Sequence, residues 1–144
     1  MWKRRSIRHG MPIVILLDTN AIIFHALLPT RLSRKARRLI AEASTGNYLA
    51  CCDISLWEIA MLTAKGRLDP GTSALEFIKL TLTAGNIQVI PVNPDIATLS
   101  VSFPDSISLD PADRLIAATA IHYRAMLITT DRNLLQSGLL TVLK

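Results

Sequence analysis

Residues 13–18 read Ile-Val-Ile-Leu-Leu-Asp, and this stretch decides the fold. Five consecutive apolar residues, three of them β-branched, are typical of a strand that is buried on both faces of a parallel sheet. The apolar run ends at Asp18, which therefore lies at the carboxyl edge of the predicted sheet. Ligands of open parallel sheets bind beyond that edge, so the same stretch indicates where a functional site would lie.

Downstream of this strand, strand-like and helix-like apolar periods alternate along the chain. Further strands are predicted at 48–52, 87–90, 126–129 and 139–142, helices at 21–28, 32–44, 54–65, 72–84, 94–102 and 111–124, and a helical turn at 132–136. This alternation predicts an α/β fold, a three-layer α/β/α sandwich with a mainly parallel central sheet.

The bulk composition predicts one folded domain. The chain has 144 residues, half of them apolar and 19% charged, and no apolar run reaches the roughly 18 residues that a membrane helix needs. Residues 1–10 carry four basic residues and no acid, so we expect a basic, disordered extension before a domain at 11–144. Cys51 and Cys52 are adjacent in an apolar run and diverge on a strand, which indicates reduced core residues of a cytoplasmic protein.

The net charge of +5 is unevenly placed. Apart from the first ten residues, it is concentrated in one basic cluster, which consists of Arg31, Arg34, Lys35, Arg37 and Arg38. Such a cluster attracts polyanions because binding releases their counterions. A solvated helix face explains the same residues equally well.

Four acids follow predicted strands or begin predicted helices, so all four can project toward one rim of the sheet. They are Asp18, Glu58, Asp113 and Asp131. Each also has a purely structural explanation. Asp18 and Asp131 can cap the helices after them, Ser55–Glu58 has the pattern of a capping box, and Asp110–Asp113 has that of a helix start. A carboxylate at a helix start can both cap the helix and bind metal.

The other common catalytic groups are missing from the sequence pattern. There is no phosphate-binding glycine loop and no recognisable serine–histidine–acid grouping, and His25 and His122 lie within apolar helices. Clustered carboxylates repel one another, and a divalent cation removes that conflict. Ligation by oxygen alone favours Mg²⁺ or Mn²⁺. The acids therefore predict a metal site that can act on phosphoryl groups.

Four segments occur in a characteristic order from about residue 11 to the end of the chain. They are Leu-Leu-Asp-Thr-Asn at 16–20, Ser-Leu-Trp-Glu-Ile-Ala at 55–60 with Lys-Gly-Arg-Leu at 65–68, Asp-Pro-Ala-Asp-Arg-Leu-Ile-Ala-Ala-Thr-Ala at 110–120, and Leu-Ile-Thr-Thr-Asp at 127–131. Together they resemble the PIN-domain nucleases and, within them, the VapC-type toxins of toxin–antitoxin pairs. The third segment is the most specific. The chain departs from the family pattern in lacking a histidine shortly before Asp110 and an aromatic residue at position 112.

The resemblance implies that the four acids form the ligand set for Mg²⁺ or Mn²⁺. It also implies that Asn20 and Thr129 are polar positions near the metal, although Asn20 can be a helix cap and Thr129 an ordinary strand residue. Asp110 matches a recurrent family acid that we interpret mainly as a helix cap. Arg114 matches a family arginine whose expected role is to pair with a nearby acid.

The activity that the resemblance implies is endonucleolytic cleavage of RNA by a metal-activated water. The basic cluster, including Arg34 and Arg38, would hold the RNA backbone. The implied partners are a second copy of the chain and a cognate antitoxin. Trp57 and the apolar faces of 54–64 or 74–82 could bind one of these partners or could simply be core.

Two other functions remain open from the residues. In a phosphatase of the haloacid-dehalogenase type Asp18 would be the nucleophile, but Asn20 stands where such enzymes have a second acid. The other alternative is a noncatalytic module that binds RNA or a partner, and for such a module a set of repelling carboxylates brings no benefit.

Overall fold

The computed structural model describes residues 13–107, 110–136 and 141–143, and within these ranges the chain forms one five-stranded sheet flanked by helices. The strands are β1 (Ile15–Leu17), β2 (Leu49–Cys52), β3 (Gln88–Ile90), β4 (Met126–Ile128) and β5 (Thr141–Leu143). Their order is β3-β2-β1-β4-β5, and every neighbouring pair is parallel. The predicted α/β architecture with a parallel sheet is confirmed. The predicted basic extension at 1–10 lies outside the described residues.

Within the described ranges, seven α-helices connect or flank these strands. They are α1 (Thr19–Leu27), α2 (Arg34–Gly46), α3 (Ile54–Ala64), α4 (Ala74–Gly85), α5 (Pro94–Ser100), α6 (Pro111–Tyr123) and α7 (Arg132–Gln136). The side chains of Ser33, Ser73 and Asn93 cap α2, α4 and α5 by accepting a hydrogen bond from the backbone N–H three residues later. Asn47 and Asn86 follow α2 and α4 in the left-handed conformation, which ends both helices. No helix in this described part of the chain is long and apolar enough to cross a membrane.

Alternate residues of each strand point to opposite faces of the sheet, and each face has its own apolar core. Leu16, Ala50 and Leu127 pack against α5, α6 and α7, and the helix residues in this core include Ile96, Ile116 and Leu134. Leu17, Cys51 and Ile128 pack against the first four helices, and the helix residues in that core include Ile22, Ile40, Ile59 and Phe77. The central strand β1 is therefore buried on both faces, as its uninterrupted apolar run predicts, and the helices form two outer layers.

The register of β1 brings distant parts of the chain to one edge. Leu17 pairs with Cys51 of β2 on one side and with Ile128 of β4 on the other. The residues that follow these strands, Asp18 and Thr129 among them, consequently lie side by side at the carboxyl edge. The chain continues from β1 to β2 and β3 on one side and later places β4 and β5 on the other. The edge between β1 and β4 is thus a topological switch point, where open α/β sheets bind their ligands.

The end of α2 lies at the opposite, amino edge of the sheet. The backbone N–H of Tyr48 donates to the Ala43 carbonyl at 3.0 Å, and the Ile15 N–H donates to the Tyr48 carbonyl at 3.0 Å. These bonds fix the end of α2 beside the first residue of β1, at the amino edge of the sheet. The helix packs on β1 and β2, and its 13 residues span about 20 Å.

Candidate active site

Asp18 is the centre of the site. Its side chain is 7% exposed and caps α1, because Oδ1 accepts a hydrogen bond from the Ala21 N–H at 2.7 Å, while Oδ2 accepts one from the Thr129 hydroxyl. The pKa of Asp18 is raised to about 6, mainly by burial and to a smaller extent by the charges of Asp131 and Glu58, while the two hydrogen bonds lower it. The capping alternative is therefore correct for Asp18, and the same carboxylate is also held in a like-charge environment.

Thr129 connects Asp18 to Asp131. The Thr129 hydroxyl is fully buried, donates to Asp18 Oδ2 and accepts a hydrogen bond from the Asp131 backbone N–H at 3.0 Å. Asp131 Oδ1 in turn accepts from the N–H groups of Asn133 and Leu134 at 2.8 and 3.3 Å, so Asp131 caps the short α7, as its structural alternative predicts. Two acids that are more than 100 residues apart in the sequence are thereby joined through one threonine.

Glu58 reaches the same region from α3. Its Oε1 atom accepts a hydrogen bond from the Thr19 hydroxyl, and the hydroxyl oxygens of Thr19 and Ser55 lie 3.0 Å apart. Burial raises the pKa of Glu58, the Thr19 hydrogen bond lowers it, and the charge of Asp110 raises it. The capping-box alternative for Ser55–Glu58 is wrong, because α3 begins at Ile54 and the Glu58 carboxylate is directed to Thr19 instead of the helix start.

The start of α6 completes the acidic surroundings. Asp110 caps this helix by accepting a hydrogen bond from the Ala112 N–H at 2.9 Å, with Pro111 in the first turn, as predicted. Asp113 lies in the same first turn and is half-buried. This helix packs against α3, and the charge of Asp110 raises the pKa of Glu58. The assignment of Asp113 as a metal ligand stays a prediction.

Three residues that were predicted to lie near the metal or the RNA are exposed on α1 and α2. Asn20 is exposed at the second position of α1, and its alternative role as a helix cap is wrong because Asp18 caps that helix. Arg34 and Arg38 are exposed on α2, and Arg38 Nε lies 4.0 Å from Glu42 Oε1.

Arg114 has the structural role that was expected of it. Its guanidinium donates hydrogen bonds to the carbonyls of Ser100, Phe103 and Pro104 and pairs with Asp105 at 3.3 Å. It therefore fastens the segment after α5 to the first turn of α6, on which Asp110 and Asp113 lie.

Sequence reasoning overlooked Thr19 and the second role of Ser55. Thr19 directly follows the acid that ends β1, and Ser55 precedes Glu58 by three positions on α3, which puts both side chains on one helix face. A buried hydroxyl next to a predicted ligand was the available signal. Within residues 13–107, 110–136 and 141–143, no three His, Cys, Asp or Glu side chains lie close enough together to hold one metal ion between them.

These features define a class of protein: an open-sheet α/β domain with acids from three chain segments at the switch point of the sheet. The chain belongs to the PIN-domain family, whose model matches residues 15–138. It is 34% identical over 120 residues to ribonuclease VapC22 of Mycobacterium tuberculosis (strain ATCC 25618 / H37Rv). The aligned region covers 83% of this chain and 88% of that protein.

Solved structures share the fold at lower identity. The DNA-bound VapBC from Salmonella typhimurium superposes with a TM-score of 0.70 at 17% identity, over 92% of this chain and 98% of that one. VapBC2 from Rickettsia felis, bound to a DNA fragment from its promoter, gives a TM-score of 0.68 at 17% identity, over 91% and 98% of the two chains.

Proposed function

We propose that this chain is a metal-dependent endoribonuclease and the toxin of a toxin–antitoxin pair. The observation that carries the proposal is that Thr129 joins the buried carboxylate of Asp18 to Asp131, while Thr19, the next residue after Asp18, holds Glu58. Three acids from separate chain segments thus share one electrostatic environment at the ligand-binding edge of the sheet. The likeness to a ribonuclease at 34% identity supports RNA as the substrate class.

The donor set fits a hard divalent cation. All the acids offer carboxylate oxygens, which suit Mg²⁺ or Mn²⁺, and a cation beside them offsets both the burial and the like-charge repulsion that raise the pKa of Asp18. A tight cage of three side chains is not required, because Mg²⁺ keeps several waters and binds through one or two carboxylates. We assign Asp18, Glu58, Asp113 and Asp131 to this role. A bound ion would supply Lewis-acid chemistry at the phosphodiester.

The chain's own residues prepare the site for hydrolysis. Thr129 and the Ala21 N–H orient the two oxygens of Asp18, so that carboxylate cannot turn away. On Glu58, hydrogen bonds within the described chain reach Oε1 but not Oε2. Glu58 Oε2 is therefore our candidate to accept a proton from the attacking water, and its raised pKa improves it as a base near neutral pH.

The basic cluster is suited to the RNA backbone. Arg34 and Lys35 occupy the first turn of α2, where the helix dipole disfavours cations. Placing cations there costs stability in the isolated chain and strengthens the attraction for phosphate. We therefore propose that Arg34 and Arg38 hold phosphates of the substrate near the acids.

The proposed partners are an antitoxin and a second copy of the chain. The structural relatives are described as VapBC proteins bound to DNA, which supports an antitoxin partner. Trp57, Leu75 and Leu80 are large apolar side chains exposed on α3 and α4, and a cavity of about 350 Å³ lies between α1 and α4. These surfaces would receive a protein partner. The free, buried Cys51 and Cys52 support a cytoplasmic location.

The test is cleavage of a structured RNA by the purified chain with and without Mg²⁺ or Mn²⁺. We expect cleavage only with metal, and none from Asp18→Asn or Asp113→Asn variants that still fold. The matched control is Asp95→Asn, which removes an exposed acid from the first turn of α5 and should leave cleavage unchanged. Undiminished cleavage in excess EDTA would refute the metal mechanism. Binding of RNA without cleavage would favour the noncatalytic module, and a trapped phosphoaspartate would favour the phosphatase.

A further inference from the structure

Two buried hydroxyl groups beside the acids have no role in the proposed chemistry so far. Thr19 is 5% exposed and Ser55 is fully buried, and their hydroxyl oxygens lie 3.0 Å apart. The Thr19 hydroxyl also bonds to Glu58 Oε1. Burying a hydroxyl group reduces stability unless the group is hydrogen-bonded, so a small apolar residue would serve equally well at either position if only packing mattered.

The number of hydroxyl protons determines which of these two groups donates and which accepts. A threonine hydroxyl has one proton, so when Glu58 is ionised that proton goes to Oε1, and the Ser55 hydroxyl supplies the proton of the 3.0 Å contact. Ser55 therefore donates to Thr19 and Thr19 donates to Glu58. A hydroxyl that accepts one hydrogen bond while it donates another is a stronger donor than an isolated one.

The position of Thr19 links two acids of the site. Its backbone adjoins Asp18, whose two oxygens are already fixed by Ala21 and Thr129. Its side chain reaches α3, where Ser55 and Glu58 lie on the same helix face. Glu58 has a long, half-buried side chain, and in the described chain Thr19 is its hydrogen-bond donor. Without this bond, Glu58 regains rotamer freedom, and its distance from Asp18 is no longer fixed.

We propose that Thr19, supported by Ser55, is a positioning residue that holds the Glu58 carboxylate at a set distance from Asp18. This inference rests on the proposed nuclease function. Hydrogen-bonded partners of metal-binding carboxylates change metal affinity or activity by about 10–100-fold when they are removed. Thr19 affects metal affinity and activity only by positioning Glu58.

The variants are Thr19→Val, which keeps the shape and removes the hydroxyl, and Thr19→Ser, which keeps the hydroxyl. The matched control is Thr119→Val, because Thr119 is equally buried but donates to the Leu115 carbonyl within α6. Binding of Mn²⁺ alone, followed by its electron paramagnetic resonance signal, is the first readout. We expect about tenfold weaker binding for Thr19→Val and unchanged binding for Thr19→Ser and Thr119→Val.

The second readout, RNA cleavage, distinguishes a loss of Glu58 positioning from a general loss of structure. For RNA cleavage we expect kcat of Thr19→Val to fall about tenfold with KM unchanged, because substrate contacts remain. In a Glu58→Ala background, where no side-chain oxygen remains for Thr19 to hold, Thr19→Val should cause no further loss of Mn²⁺ affinity. An equal loss in Thr119→Val, a loss in Thr19→Ser equal to that in Thr19→Val, or a full additional loss in the Glu58→Ala background would overturn the role of Thr19.

The outcome for the natural chain distinguishes the two proposals. If it binds Mn²⁺ and cleaves RNA, and Thr19→Val does both equally well, only the role of Thr19 is refuted. If the natural chain neither binds Mn²⁺ nor cleaves RNA, the nuclease proposal fails, and the role of Thr19 fails with it.

Discussion

Replacing Asp18 by asparagine exchanges a buried carboxylate for a neutral amide of nearly the same shape. The amide oxygen can accept the hydrogen bond from the Ala21 N–H, and the amide nitrogen can donate to Thr129. Burial and the neighbouring acids raise the pKa of Asp18 from 3.8 to about 6. At about 1.4 kcal/mol per pH unit, this difference corresponds to about 3 kcal/mol of lost stability at neutral pH.

The pH dependence has a defined direction. The folded chain holds the Asp18 proton more tightly than the unfolded chain does, so below pH 3.8 both states are protonated and nothing is lost. Between pH 3.8 and about 6 the unfolded chain ionises first, and the free energy of unfolding falls as the pH rises. Above that window the loss is constant. The Asp18→Asn variant should therefore be more stable than the natural chain by up to about 3 kcal/mol at pH 7.5, and of similar stability at pH 3.5.

Urea unfolding followed by far-UV circular dichroism, in EDTA and at a series of pH values from 3.5 to 8, measures this difference. The Asp95→Asn control removes an exposed acid near a helix start and should lower stability by at most about 1 kcal/mol. A stability difference for Asp18→Asn that is the same at pH 3.5 and pH 7.5 would refute the reasoning. Saturating Mg²⁺ should stabilise the natural chain more than the variant, because it binds the folded carboxylates.

Three further results are expected. Arg114→Met should lower the free energy of unfolding by about 2–3 kcal/mol, since three carbonyls lose a charged donor. As its control, Asp105→Asn should change the free energy of unfolding by less than about 0.5 kcal/mol, because that carboxylate is 89% exposed. Urea unfolding measures both changes. A double change, Arg34→Ala with Arg38→Ala, should reduce the salt dependence of RNA affinity by about 0.7 per lost phosphate contact, and an unchanged slope in filter-binding titrations would refute those contacts. Arg124→Gly should raise the free energy of unfolding by about 0.5–1 kcal/mol, because Arg124 is exposed after α6 with φ +52°, a conformation that favours glycine. Calorimetry measures this change, and an unchanged or lower stability would contradict the prediction.

The order of the elements could be predicted because it depends on local patterns. The buried run before Asp18, the alternation of strands and helices, and the asparagines after α2 and α4 all act within a few residues of chain. The convergence of acids at one edge follows from a general rule for parallel sheets, so Asp18 and Asp131 could be placed together without coordinates.

The connections between the acids could not be predicted in the same way. The bond from Thr129 to Asp18 depends on the register of β4 against β1, and the bond from Thr19 to Glu58 depends on how α1 packs on α3. The periodicity of one segment does not specify which distant strand or helix becomes its neighbour. The capping-box pattern misled because it satisfies a local rule that the packing of Thr19 against α3 overrides.

The pairing of β1 with β4 also has a consequence for synthesis of the chain. The partners of the hydrogen bond between Thr129 and Asp18 are 111 residues apart, so the bond cannot form until the chain through Thr129 has been made. Contacts of such long range form late, because the intervening chain must first be brought together. A growing or prematurely ended polypeptide that lacks β4 has Asp18 but neither Thr129 nor Asp131 to complete its surroundings. The acidic surroundings of Asp18 are therefore completed only after β4 and Asp131 have been translated.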